Sequence, residues 1–84
     1  MSYRLIRKSD GLTKCAENIC YISFNKNGTF KRQNFMPKIG RSLLMSPFNI
    51  FFTWQTTLIT KIIENKEDYL HFFTENSEYE LFKV

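Results

Sequence analysis

Glycine, proline, cysteine and histidine are all scarce in this chain of 84 residues, at three, two, two and one respectively. Each scarcity excludes something. Gly11, Gly28 and Gly40 lie too far apart to form a Gly-rich phosphate loop. His71, Cys15 and Cys20 cannot supply the four ligands of a structural zinc site, so no metal is expected. The Cys15-Ala-Glu-Asn-Ile-Cys20 spacing is also wider than a redox Cys-x-x-Cys pair. No apolar run approaches the ~20 residues of a membrane-spanning helix. The longest candidate, Phe48 to Trp54, is interrupted by Asn49 and Thr53. Met1 to Asp10 carries cations but no apolar core of a signal peptide. The expectation is a cytoplasmic chain with free thiols, no cofactor and no membrane contact. On that footing Asn27-Gly28-Thr29 is a turn and not a glycosylation site.

What the chain has in quantity is aromatic side chains. Nine Phe, four Tyr and Trp54 make up 17% of the residues, and each such side chain buries about 150–250 Å². That content excludes disorder. The length allows one domain, residues 1–84, which buries only about 60% of the surface its unfolded form exposes.

The net charge of +4 is unevenly spread. Residues 1–43 carry nine Lys/Arg against Asp10 and Glu17, whereas residues 44–84 carry three Lys against six acids. Such asymmetry points to an anionic partner for the first half, unless folding brings the two halves together.

Local patterns read as strands. Tyr3 to Arg7, Ile19 to Phe24, Thr29 to Phe35 and Ser42 to Ser46 are rich in β-formers and bounded by turn residues. Residues 10–18 read as a loop or one helical turn capped by Ser9 or Asp10. Phe48 to Trp54 fits a buried strand or a docked loop. Thr56 to Ile63, Tyr69 to Thr74 and Glu78 to Val84 read as a meander. A helical stripe through Ile59, Ile62, Ile63, Lys66, Leu70 and Phe73 competes with it, but the threonines, isoleucines and the Tyr79/Leu81 alternation favour strands. The fold expected is mainly β: a small, partly open β-barrel or meander of five to six short strands, with the helical turn near residues 10–18.

Two details of register follow. At Asn25-Lys26-Asn27-Gly28, a three-residue loop with Gly28 in the left-handed position of a G1 bulge places Phe24 opposite Phe30. This sends Cys20, Ile22, Phe24 and Phe30 to one face and Tyr21, Ser23, Lys31 and Gln33 to the other. In the meander, Leu70 and Phe72 point away from Tyr69, His71 and Phe73, and Leu58 and Ile62 away from Ile59 and Ile63. Both faces are then partly apolar, so one needs a cover or a partner.

No catalytic constellation stands out. Cys, His and acids are present, but nothing in their spacing brings them together, and a lone His71 between Leu70 and Phe72 is a packing or interface residue. The acids cluster at turns and on a terminal strand, where they keep an edge soluble. Cys20 reads as a small core residue and Cys15 as a loop thiol. The function expected is therefore not enzymatic. The leading reading is an interaction domain that binds another protein, or itself as a homo-oligomer, through Tyr69, His71 and Phe73 with Trp54 as anchor. The alternative is a small β-barrel that binds nucleic acid through the basic, aromatic-interleaved segment 21–41, with Lys26, Lys31, Arg32, Lys38 and Arg41 on phosphates. Set against it, the same segment reads as a hairpin with a soluble outer face, or as the contact for an acidic protein. The Lys-, Asn-, Ile- and Phe-rich composition also suits a small viral inhibitor encoded by an AT-rich phage genome.

Overall fold

The computed structural model describes residues 2–46 and 53–84, which form eight strands and no helix. They are β1 (Tyr3–Arg7), β2 (Thr13–Ala16), β3 (Ile19–Phe24), β4 (Phe30–Asn34), β5 (Ser42–Met45), β6 (Trp54–Asn65), β7 (Tyr69–Thr74) and β8 (Glu78–Lys83). The mainly β expectation holds, and so does the meander, in place of the competing helix. The count of five to six strands is too low. The helical turn near residues 10–18 is replaced by β2, which pairs antiparallel with β1, so that Cys15 lies in a strand and not a loop. Of the apolar run from Phe48 to Trp54, residues 48–52 lie outside the described residues, and Trp54 opens β6.

All eight strands join one antiparallel sheet in the order β2-β1-β8-β7-β6-β5-β3-β4. That order dictates curvature. Strand β2 is first and β3 seventh, so a flat sheet would separate them by six steps of about 4.8 Å, about 29 Å in all. Only Glu17 and Asn18 connect them, and three peptide units reach at most about 11 Å. The sheet therefore curls into a half-barrel. Its two edges, β2 and β4, do not pair with each other among the described residues.

The concave face carries the core. Leu5, Leu81 and Leu70 stand in one row across β1, β8 and β7, and Tyr21, Leu43, Met45, Ile59 and Phe72 close the other side. Phe72 is fully buried and stacks on Tyr79 at 5.4 Å between centroids, while Trp54 meets Tyr79 edge-on at 5.9 Å. Each such side chain taken out of water contributes about 1.5–3 kcal/mol.

The β3–β4 hairpin takes the expected register at its tip. Phe24 pairs with Phe30, Gly28 adopts φ of 85°, and Asn25 N–H donates to the Thr29 carbonyl at 2.8 Å. The register shifts between Ser23 and Phe24, however, so Lys31 is the extra residue of a bulge. Gln33 then stands opposite Ile22 and Arg32 opposite Ser23, which corrects the face expected for Gln33. Against β7, strand β6 carries two further shifts, with Thr60 and Ile63 as the extra residues, and its pairing with β5 shifts once more between Ser42 and Leu44. Consequently Ile59 and Ile62 pair with Thr74 and Phe72 on the core side. The expectation that Ile62 faces away from Ile59 is corrected by these bulges.

Candidate protein-binding surface

Alternation in β7 and β8 places Tyr69, His71 and Phe73 together on the convex face, next to Phe82, Glu80 and Glu78 of β8. The three rings form a row, with centroids 6.5 Å apart for Tyr69–His71 and 6.0 Å for His71–Phe73. Each is half-buried. Their polar atoms are already engaged. Tyr69 Oη donates to Glu80 Oε2 at 2.6 Å, and His71 Nε2 lies 2.5 Å from Glu78 Oε2. The hydrogen bond to Glu80 pushes the Tyr69 phenol up to about 12. Lys8 Nζ stands 3.9 and 3.8 Å from the carboxylates of Glu78 and Glu80. The polar atoms of the row are therefore already partnered by Glu78 and Glu80. Trp54 is not part of it, because its ring packs on Tyr79 beneath the opposite face. The structure brings Tyr69, His71 and Phe73 together and separates Trp54 from them.

The basic candidates fall at the other end of the sheet. Lys26 sits in the hairpin turn, Lys31 and Arg32 on the edge strand β4, and Lys38 and Arg41 in the segment leading to β5. No acid occurs in the sequence between Glu17 and Glu64, and the acids that come near this end, Glu67 and Asp68, line the cleft beside Phe35 and Met36 together with Lys66 and Lys83. The contrast with β1 is sharp. Arg7 pairs with Asp10 at 2.6 Å, and that guanidinium, helped by the Leu12 N–H, holds the Asp10 carboxyl down to about 2. Lys8 likewise meets two glutamates. Among the described residues, Lys26, Lys31, Arg32, Lys38 and Arg41 have no carboxylate within ion-pair distance. Arg41 instead donates to the Met36 carbonyl at 2.7 Å and ties that segment to β5.

The same stretch exposes apolar side chains. Phe30, Phe35, Met36 and Ile39 are 60, 79, 65 and 61% exposed, and among the described residues only Ile63 and Val84 are comparable large apolar groups. Exposed apolar groups thus coincide on residues 30–41 with four cations that have no ion pair among the described residues, Lys31, Arg32, Lys38 and Arg41, although Arg4, Lys14, Lys26, Lys61 and Lys83 have none either. Sequence reasoning picked out these cations but not Met36 and Ile39 as exposed partners. Their signal was the lack of a β-pattern around Pro37 and Gly40, which leaves apolar residues without a sheet face to bury them. Phe35 and Met36 also form one wall of a cleft of about 530 Å³ at the barrel mouth, whose other lining includes Tyr3, Tyr21 and Leu81. Burial pushes the Tyr21 phenol well above its ordinary range.

The thiols lie apart in character. Cys15 is exposed on β2, and Cys20 is buried on β3, where burial raises its pKa. No group of three or more His, Cys, Asp or Glu among the described residues is placed to hold a metal ion. Set against protein-family models, curated proteins and solved structures, the chain matches none of them.

Proposed function

We propose that this chain is a non-catalytic interaction domain whose partner is another protein, and that the docking surface is the basic apolar ledge of residues 30–41. The observation that carries this reading is the coincidence just described. Four exposed apolar side chains stand among cations that lack carboxylate partners. Exposed apolar groups clustered in one patch favour association. Cations left unneutralised select a partner of opposite charge and speed the encounter. The aromatic row of Tyr69, His71 and Phe73 is the weaker surface, because Glu78 and Glu80 already occupy its polar atoms.

The same cations would suit nucleic-acid phosphates, and the choice between the two partners rests on the rings. Bases stack on aromatic platforms that adjoin one another. Phe30 opens β4 and Phe35 follows its last residue, so the two stand at most about 17 Å apart at about 3.3 Å per residue. Phe30 moreover pairs with Phe24, while Phe35 borders the barrel mouth. Such spacing fits separate apolar contacts on a protein better than a continuous stack of bases.

Two probes test the reading. Fluorescence anisotropy with a labelled glutamate-rich polypeptide should give saturable binding that weakens as salt rises. A random single-stranded oligonucleotide should bind less tightly at the same ionic strength. Tight binding of the oligonucleotide, with affinity falling steeply between about 50 and 200 mM salt, would transfer the function to nucleic acid.

A further inference from the structure

We propose that the free edge of β4 takes up an extended, acidic polypeptide segment as an added strand. This inference rests on the docking surface assigned above and specifies the form its partner takes. Among the described residues β4 pairs with β3 alone and ends the sheet. One set of its backbone N–H and C=O groups therefore faces outward, and an unpaired strand edge is a template for another strand.

The template is held in shape at both ends. At one end Phe30 sits opposite Phe24 beyond the bulge. At the other, the Asn34 side-chain amide donates to Ser23 Oγ at 2.6 Å and to the Tyr21 carbonyl at 3.3 Å. Beyond the bulge at Lys31, Arg32 to Asn34 are already fixed in extended form by their pairing with β3, and such an edge spends little ordering entropy when a partner docks.

Charge decides the occupant. Among the described residues the two free edges of the sheet are β4, with Lys31 and Arg32, and β2, with Lys14, and neither strand contains an acid. Pairing of two β4 edges brings Lys31 and Arg32 of one copy near those of the other, and cations on natural edges resist self-association. A second copy is thereby disfavoured. A strand bearing glutamate or aspartate at alternate positions meets Lys31 and Arg32 with opposite charge, and its intervening apolar residues lie beside Phe30. A segment that continues past Asn34 reaches Phe35 and Met36 at the cleft, where Glu67 and Asp68 call for an apolar and not an acidic continuation.

The test uses the full chain and a synthetic peptide alternating glutamate and valine, read by anisotropy and by amide hydrogen exchange. Two more peptides carry backbone N-methyl groups along one edge or the other, which removes donors without changing charge. The parent peptide should bind and slow exchange in β4. One methylated peptide should match it, and the other should bind at least about tenfold more weakly. If both methylated peptides bind as well as the parent, the backbone takes no part and strand addition is overturned, while acidic docking stands. If a glutamate-rich helix binds and the extended parent does not, strand addition again falls alone. If no acidic probe binds, both readings fall.

Discussion

Ile59 and Ile62 point to the same side of β6 although they are three residues apart. Thr60 is the extra residue of a bulge, so Ile59 faces Thr74 and Ile62 faces Phe72 of the neighbouring strand. Ile63 is the extra residue of the next bulge and is 41% exposed. Plain alternation would have made Ile59 and Ile63 equivalent.

The bulges therefore set an unequal cost for two like substitutions. Ile59→Ala should destabilise the fold by about 2–5 kcal/mol, through lost burial and a cavity. Ile63→Ala should cost under about 1 kcal/mol, as for a surface site. Urea unfolding midpoints of the two variants check this, and equal losses would refute the bulged register.

Gly28 has φ of 85°, and a Cβ built there meets nothing within 4 Å. Any penalty for a side chain is thus one of backbone conformation, not of space. Gly28→Ala is expected to cost about 1–2 kcal/mol, the steric penalty of the left-handed region. Gly28→Asn should cost less, because asparagine visits that region more readily. Thermal denaturation of both variants orders them.

The Tyr69–Glu80 hydrogen bond has a pH signature. The phenol lies at about 12 in the fold against an ordinary value of 10.0, so the folded chain holds this proton more tightly than the unfolded one. The associated stability is complete below pH 10 and is lost as pH rises through about 12. Tyr69→Phe removes the dependence. The stability gap between wild type and Y69F should narrow between those pH values, as chemical denaturation at each pH will reveal.

Much of the fold was legible because local chemistry was strong. Asn27-Gly28 fixed a hairpin, and the alternation of Tyr69 to Thr74 sorted its residues correctly between core and convex face. Strand β2 was missed because Thr13-Lys14-Cys15-Ala16 has a single buried side chain, Ala16, and so almost no pattern to read. The helical stripe around Ile59 was misleading for a physical reason. Bulges convert a spacing of two into three, which imitates a helix turn. The aromatic row was located from its spacing, yet its carboxylate partners were not. Glu78 and Glu80 alternate with Tyr79 and Leu81, so they had to share the face of His71 and Phe73 once β7 and β8 pair. The separation of Trp54 from that row depends on register across β5, β6 and β7, which no single segment encodes.

The most direct test compares two double variants for binding of a labelled glutamate-rich polypeptide. Lys31→Glu with Arg32→Glu reverses the charge of the ledge, whereas His71→Ala with Phe73→Ala strips the aromatic row. Circular dichroism first verifies that both remain folded. The expected result is a loss of at least about tenfold, or roughly 1.4 kcal/mol, for the charge-reversed chain and a change within twofold for the other. Unchanged binding by the charge-reversed chain, with loss confined to the His71/Phe73 variant, would contradict the assignment.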